Sequence, residues 1–537
     1  MVPGCCGPLS RRELLRRAVL LAGAPAVDGW PDRAAAAAGG AGPVPADLEL
    51  LTVTDTALAL RWTTGDPARP DLLGRPTPLP ADTHLLVRDL RGRPVAEVRR
   101  DDATAVHLAE VDGLTPGTTY AVEARSADRV ATPRLLARID PAALPAVLPV
   151  DPAGLRRVVD GRHQTSAAPG LVTTLVPPDG PLLAVLALTN DLHIGETASG
   201  VLQGDLPPAV RQPAGLPAYP ELMARAVVAE ARARGADVLL VAGDLTAEAA
   251  LPDAHAAREL LLGFGSQVHA GPMVVGSWLA VRGNHDRVHG GDDTVGAVFG
   301  LSRQRLAVAD VGGLRVIALD TSTQQPGGAI GAGQLAALRE ELRRDPDRPT
   351  LVLGHHPVTD ASAAATLGGR AFDLDADSAR AIETAYAAAP GVFLHHAGHT
   401  HRAHRSSSLT AAHVEFLEVG AAKEYPGCVT LVRVHTGGYQ VSTHPLRDPQ
   451  ALAWAARSGT QFAGYYPAYV LGSVEDRNHV VRRDLSGLVG IRPGPAPTAA
   501  RDHHTALLAT GAGAVAVGGA AAAALQRRRH GTRRSPG

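Results

Sequence analysis

The chain of 537 residues is poor in cysteine, aromatic residues and lysine. Two of its three cysteines, Cys5 and Cys6, lie at the extreme N-terminus, so only Cys428 would remain after removal of that segment, and no intrachain disulfide could then form. Aromatic residues make up 3% of the chain, so its core must consist mainly of Leu, Val and Ala. Lys423 is the only lysine. The net charge of −1 gives no reason to expect a nucleic-acid or acidic-membrane partner.

Both ends of the chain have the composition of targeting segments. Ser10-Arg11-Arg12 precedes a short apolar stretch and resembles a twin-arginine export signal, so residues 1–43 predict export by the twin-arginine machinery. Residues 491–504 are rich in proline and predict a spacer. Residues 505–537 contain about twenty uncharged residues before a basic tail, which predicts a membrane anchor. Alternatives are a sorting signal for the cell wall around Thr510-Gly511, or a disordered tail. We therefore expect an extracellular protein tethered to the cell surface.

The chain is too long for one ordinary core, so we expect two folded domains. The sequence pattern predicts that the first of them is all-β. Residues 48–53 and 57–62 are short, apolar and alternating, as is typical of strands. A turn at Pro116-Gly117 before Tyr120 resembles the tyrosine corner of fibronectin type III sandwiches, with Trp62 as the buried core indole. This resemblance implies a sandwich over residues 44–139, followed by a linker over 140–181. An unrelated all-β domain is the alternative.

From residue 182 to 446, apolar segments alternate with helical periodicity. Strands are predicted at 183–189, 236–242, 277–282, 314–319, 350–353 and 391–394, with a helix at 221–234. Residues 428–434 and 438–444 predict a closing antiparallel pair. This alternation indicates a layered α/β fold, in which sites lie at the carboxyl ends of strands. Residues 447–490 form a C-terminal extension.

Five short polar motifs follow these predicted strands. They supply carboxylate, amide and imidazole donors but no thiolate, which suits Mn, Fe, Zn or Ni rather than a structural zinc site. The motifs are Asp191-Leu-His193, Gly243-Asp244, Gly283-Asn284-His285-Asp286, Gly354-His355-His356 and Gly398-His399-Thr-His401. Two divalent metal ions roughly 3.5–4 Å apart require such a donor set.

The order of the motifs resembles the calcineurin-like metallophosphoesterase superfamily, and the export signal is similar to that of an actinobacterial exported branch. The resemblance implies a β-sandwich flanked by helices as the catalytic domain. It implies that metal one is held by Asp191, His193, Asp244 and His401. It implies that metal two is held by Asp244, Asn284, His355 and His399.

The resemblance leaves two histidines to be distinguished and assigns two further residues to catalysis. Pro357 favours His355 over His356 as the ligand. His285 would face the substrate and protonate the leaving oxygen or bind the phosphoryl oxygens, and Asp286 would orient it. Purple acid phosphatases of the superfamily carry a tyrosine ligand where this chain has Ala247, so no tyrosinate-coloured ferric site is expected.

The implied activity is hydrolysis of phosphomono- or phosphodiesters by attack of a metal-activated water on phosphorus. Specificity is expected to reside in the loops at residues 195–219, 289–299 and 359–377. The alternative function is a cell-surface binding protein that carries an inactive phosphoesterase scaffold.

Overall fold

The computed structural model describes residues 42–70, 76–133, 170–200, 209–287, 292–366, 368–462 and 466–492. Nearly all of the predicted signal segment, most of the predicted linker, the spacer beyond residue 492 and the apolar C-terminal segment lie outside the described residues. Each helix of the described ranges is too short or too polar to cross a bilayer.

The N-terminal region is an all-β sandwich of two antiparallel sheets. Its strands are β1 (Val44–Val53), β2 (Leu58–Pro70), β3 (Pro76–Pro78), β4 (Ala81–Arg88), β5 (Pro94–Thr104), β6 (Val106–Val111), β7 (Thr119–Ser126), β8 (Arg129–Val130) and β9 (Leu171–Thr173). One sheet has the order β1-β2-β3 with β6 beside β2, and the other has the order β5-β4-β7-β8 with β9 beside β7. Strand β9 comes from the segment predicted as a linker.

The sandwich core contains the indole and the tyrosine that the sequence indicated. Trp62 is fully buried and stacks on the ring of His107, with 5.1 Å between ring centroids. The hydroxyl of Tyr120 accepts a hydrogen bond from the Thr115 N–H at 2.9 Å. The predicted all-β architecture is confirmed, and the relation to fibronectin type III domains stays a prediction.

The second region consists of two seven-stranded sheets packed face to face, with helices on their outer faces. Its elements are β10 (Leu182–Thr189), α1 (Tyr219–Ala233), β11 (Val238–Ala242), α2 (Leu251–Leu262), β12 (Ser266–Gln267), β13 (Gly271–Pro272), β14 (Ser277–Val281), α3 (Thr294–Phe299), β15 (Ala307–Val311), β16 (Leu314–Ala318), α4 (Ala332–Arg344), β17 (Thr350–Leu353), α5 (Asp360–Ala365), a 3₁₀ turn (Gly369–Ala371), α6 (Ala376–Ala387), β18 (Val392–Ala397), β19 (His404–Ser406), β20 (Glu415–Glu418), β21 (Cys428–His435), β22 (Gly438–Pro445), α7 (Pro449–Ser458), α8 (Tyr466–Val470), α9 (Val474–Arg477) and β23 (Asn478–Arg482).

The strand orders are β12-β14-β11-β10-β21-β22-β23 and β13-β15-β16-β17-β18-β20-β19. Strand β10 shows why the predicted strands are continuous apolar runs. Successive side chains of a strand point to opposite faces of the sheet, and both faces are covered here, so every position is buried. Leu186 and Leu188 face the other sheet, whereas Val185 and Ala187 pack under helix α1. The predicted strands, the predicted helix and the closing pair β21–β22 are all present, so the layered α/β fold is confirmed.

The C-terminal extension completes the first sheet. Strand β23 pairs antiparallel with β22 and forms its edge. Trp454 of α7 stacks on Tyr219 of α1, with ring centroids 4.1 Å apart. These contacts tie residues 449–482 to the α/β core.

A buried ion pair within the sandwich is hydrogen-bonded to the α/β region. The Arg61 guanidinium contacts the Glu49 carboxylate at 2.6 Å, and both side chains are almost completely buried. Tyr425 donates its hydroxyl to Glu49 at 2.6 Å, and Arg61 donates to the Pro426 carbonyl at 2.6 Å. The sandwich is therefore held by hydrogen bonds to the loop that precedes β21.

Candidate metal centre

The predicted metal-binding residues all lie in loops at the carboxyl ends of central strands. Strands β10, β11 and β14 belong to one sheet, while β17 and β18 belong to the other, so these loops meet above a shared edge of the two sheets. The residues follow their strands in this order: Asp191 and His193 after β10, Asp244 after β11, Asn284 after β14, His355 after β17, and His399 and His401 after β18.

The backbone of these loops is unusual at five of the seven predicted ligands. Their φ values are positive, between 46° and 67°, a region that residues other than glycine rarely adopt. Such conformations cluster at functional sites, where surrounding structure holds them. The five residues are Asp191, His193, Asp244, His399 and His401.

Glycine is required at position 243 by a close approach of the loops. Gly243 has a φ of 85°, and a Cβ there would lie 2.7 Å from both the Gly283 nitrogen and the His355 Nδ1. The missing side chain lets the Asp244 loop pack directly against the loops from β14 and β17. The Gly-Asp motif therefore combines a turn that glycine permits with a carboxylate directed into the site.

The first ligand group contains three of the four residues predicted for metal one. Ligand atoms of Asp191, His193 and His401 lie within 4.8 Å of one another. Asp191 Oδ1 is 3.4 Å from His401 Nε2 and 3.7 Å from His193 Nε2. The fourth residue, Asp244, is adjacent, with its Oδ2 3.3 Å from His193 Nε2.

The second ligand group lies on the other side of Asp244. Asp244 Oδ2 is 3.2 Å from His355 Nε2, and Asn284 Oδ1 is 3.1 Å from the same nitrogen. His399 packs against His355, with ring centroids 5.0 Å apart. One carboxylate oxygen of Asp244 thus faces both groups, which is the position of a bridging ligand.

The hydrogen bonds distinguish His355 from His356. His355 Nδ1 lies 2.7 Å from the Ala242 carbonyl oxygen, which leaves Nε2 facing Asp244. Histidine ligands commonly use one nitrogen in this way to orient the other. His356 contacts the Thr321 hydroxyl at 2.8 Å through Nδ1 and the Pro326 carbonyl oxygen at 3.0 Å through Nε2. Both nitrogens of His356 are therefore engaged by the protein, and the geometry favours His355 as the ligand.

Several donor atoms of the site are buried and lack hydrogen-bond partners. They are Asp191 Oδ1, His193 Nε2 and His399 Nε2. Buried polar atoms are normally paired, so three unpaired atoms that face one centre indicate that something else satisfies them. Carboxylate and imidazole donors without thiolate fit divalent transition metals.

The pKa values of the site reflect this crowding. Burial disfavours the ionised forms of Asp191 and Asp244, yet neighbouring imidazoles hold both pKa values well below the ordinary range. Burial likewise disfavours protonated His355, but the Asp244 carboxylate outweighs it and raises the pKa of His355 to about 9. A cation would compete with protons for these imidazoles, so metal binding should release protons.

His285 and Asp286 have separate environments. The exposed His285 ring lies 4.5 Å from the His193 ring, and its Nδ1 is 2.7 Å from the Ala247 carbonyl oxygen. Among the described residues, no hydrogen bond joins the Asp286 carboxylate to the His285 ring. The carboxylate accepts hydrogen bonds from the backbone N–H groups of Gly283 and Leu245, at 2.9 and 3.0 Å, and from Thr246. Asp286 thus joins the Gly-Asp loop to the Asn284 loop.

Residues 184–403 match the family model of calcineurin-like phosphoesterases. The matched segment contains all seven predicted metal ligands. Similar solved structures include a dimetal phosphatase from Danio rerio, with 11% identity and a TM-score of 0.38 over 50% of this chain and 98% of that chain. A purple acid phosphatase from yellow lupin (Lupinus luteus) seeds has 11% identity and a TM-score of 0.34 over 76% and 73%. PhoD has 9% identity and a TM-score of 0.31 over 74% and 85%. No curated protein matches the chain.

Carboxylates support the first ligand group, and the sequence alone did not identify them. Glu424 Oε1 lies 2.7 Å from His401 Nδ1. Glu196 Oε2 lies 3.1 Å from His193 Nδ1, an ion-pair distance without hydrogen-bond geometry. Lys423, the only lysine of the chain, is buried and pairs with Glu196.

Two of these supporting residues lie beyond the part of the chain that matches the family. Lys423 and Glu424 follow residue 403, and Glu424 is also bound by Tyr466 and Gln461 of the C-terminal extension. The single lysine was the one available signal, since burial of a lysine requires a partner. The first ligand group is therefore supported by residues that lie outside the matched segment.

Proposed function

We propose that the protein is an exported metal-dependent phosphoesterase that hydrolyses phosphomonoesters or phosphodiesters. The observation that carries this proposal is the convergence of the predicted donors into two adjoining groups that share Asp244. The family match to residues 184–403 supports the same class of reaction. The net charge of −1 argues against nucleic acid as the substrate.

In this proposal, Asp191, His193 and His401 would hold one divalent cation. Asn284, His355 and His399 would hold the second, and Asp244 would serve both groups. When bound, the cations supply a lowered pKa for water and electrostatic stabilisation of the phosphoryl oxygens. Because the donors are fixed on strand ends by the strained loops, little reorganisation is needed during the reaction.

His285 has the position of a substrate-facing group. Its Nδ1 lies 2.7 Å from the Ala247 carbonyl oxygen, which orients the ring, and the side chain is exposed. In the protonated imidazole, Nε2 would donate to a phosphoryl oxygen or to the leaving oxygen. Asp286 would act on this step only by positioning the loop that carries His285.

Hydrolysis assays on the full chain loaded with Mn²⁺ test the proposal. We expect release of p-nitrophenol from p-nitrophenyl phosphate or from its bis-ester. Asp244→Ala and Asn284→Ala should abolish it, because each removes a proposed ligand. Asp377→Ala is the matched control, since that side chain is 91% exposed on helix α6. Full activity in both ligand variants would overturn the assignment. A folded wild-type protein that retains no metal would favour a binding protein with an inactive scaffold.

We also propose export through the twin-arginine machinery, followed by tethering to the cell surface. The paired Arg11 and Arg12 before an apolar stretch support export, and the uncharged segment with a basic tail supports an anchor. Replacing both arginines with lysine should retain the protein inside the cell, measured by fractionation. The same change at Arg16 and Arg17 serves as the control. Equal export of the two double variants would contradict this route.

A further inference from the structure

Phe372 is the exposed phenylalanine of this chain. All six phenylalanines lie in described ranges, and the Phe372 side chain is 41% exposed. Phe264, Phe299, Phe393 and Phe416 are each buried. A lone exposed apolar side chain is common on protein surfaces, so the position of this ring decides its meaning.

The Phe372 ring lies beside the second ligand group. Its centroid is 6.0 Å from that of His399, and the two rings are inclined by 29°. This is offset stacking on a proposed ligand of the second cation. His285, in contrast, lies against His193 of the first group. The two side chains thus mark different sides of the centre.

The backbone that follows Phe372 is fixed. Asp373 and Leu374, which follow it, are completely buried. The Leu374 N–H donates to the Pro357 carbonyl at 2.9 Å, and the Gly328 N–H donates to the Asp373 carbonyl at 3.1 Å. The exposure of the ring is therefore not the result of a detached loop.

Gly368 leaves room for the ring. A Cβ at this position would overlap the aromatic carbons of Phe372. The Phe372 N–H donates to the Gly369 carbonyl at 3.0 Å and closes the turn. The loop between α5 and α6 thus holds an aromatic ring, partly open to solvent, at the edge of the metal centre.

We propose that Phe372 stacks on an aromatic group of the substrate alcohol, so that the site prefers aryl phosphoesters to esters of small alkyl alcohols. This inference rests on the proposed phosphoesterase function. An ester whose phosphoryl group lies between the two ligand groups can place its alcohol beside His399, where the open part of the ring is available. The free energy that an aromatic pair contributes corresponds to a preference of about three- to tenfold for the aryl ester.

Binding of two phosphonates that cannot be hydrolysed tests the inference. Phenylphosphonate and methylphosphonate are titrated calorimetrically into the Mn²⁺-loaded full chain. We expect the wild type to bind phenylphosphonate more tightly than methylphosphonate. The Phe372→Ala variant should lose about three- to tenfold in affinity for phenylphosphonate and keep its affinity for methylphosphonate. Phe372→Tyr should keep the preference, and Phe372→Leu should lose it while retaining the apolar volume. Leu409→Ala, at another exposed apolar side chain, is the control.

The outcomes separate this inference from the proposed function. Equal loss of both phosphonates, or weaker Mn²⁺ binding in Phe372→Ala, would mean that the ring only supports His399 and would overturn the inference. A wild-type protein that binds the two phosphonates equally well would also overturn the inference. If the wild type hydrolyses p-nitrophenyl phosphate in these cases, the proposed function survives. If it neither binds Mn²⁺ nor hydrolyses esters, both fall.

Discussion

Replacing Glu424 with glutamine should weaken metal binding about 10- to 100-fold. The Glu424 carboxylate lies 2.7 Å from His401 Nδ1 and thereby favours the tautomer whose Nε2 lone pair faces Asp191, 3.4 Å away. It also accepts hydrogen bonds from Tyr466 and from Gln461, the latter at 2.7 Å. The substitution keeps the shape of the side chain but removes the charge that makes the imidazole a stronger donor to a cation.

The expected loss corresponds to about 1.4–2.7 kcal/mol of binding free energy per affected cation. A second cost falls on folding. In Glu424→Gln, an amide nitrogen replaces one of the two carboxylate oxygens, either the one that faces His401 or the one that accepts from the Gln461 amide. In both orientations one donor would face another donor. A buried donor left unpaired costs about 1–3 kcal/mol of unfolding free energy. Metal affinity and stability must therefore be measured separately.

Calorimetric titration of Mn²⁺ into the apoprotein measures the affinity, and urea unfolding of the apoprotein measures stability. Glu230→Gln is the matched control, because Glu230 is also buried and pairs with Arg234 at 2.7 Å and with Arg447 at 3.0 Å, but contacts none of the proposed ligands. We expect the control to lose stability and keep its affinity for Mn²⁺. A folded Glu424→Gln variant with wild-type affinity would refute the role given to this carboxylate.

Three further changes have defined outcomes. Burial and a neighbouring glutamate raise the pKa of Asp373 to about 7, so its folded state favours the protonated acid and the protein loses stability as pH rises from about 4 to 7. Asp373→Asn should therefore be more stable than wild type at pH 8, on the order of 4 kcal/mol, with little difference at pH 4 in urea unfolding. Arg61→Met removes the cation of a buried ion pair and should cost about 3–5 kcal/mol of unfolding free energy, whereas Arg100→Met at an exposed pair should cost under about 1 kcal/mol. Asp286→Asn should lower both thermal stability and Mn²⁺ affinity, because it disturbs two loops; a change in turnover alone would instead support direct orientation of His285.

The sequence was sufficient to predict the layered fold and the approximate position of the ligands. Each motif directly follows an apolar strand, and in an α/β sheet that local order fixes the end of the sheet at which a side chain lies. Asp191 and Asp244 could be placed together for this reason, without knowledge of the loops. Pro357 favoured His355 over His356 in the sequence, but the physical reason, hydrogen bonds to Ala242 and Thr321, is seen only in the structure.

The supporting residues could not be predicted because their role arises from tertiary packing. Glu196 and Glu424 are single carboxylates in loops, and such residues are typical of solvated turns. Only the folded chain brings them beside His193 and His401 and buries Lys423 between them. The short edge strands β9 and β23 were also missed, because three to five residues carry too little periodicity to be distinguished from loop.

The number of metal ions bound per chain tests the central claim most directly. After loading with Mn²⁺ and removal of free metal, elemental analysis of the wild type should give two ions per chain, as two ligand groups sharing one carboxylate require. Asp244→Ala, which removes the shared ligand, should retain at most one ion. A wild type that retains none, or an Asp244→Ala variant that still retains two, would contradict a dinuclear centre bridged by Asp244.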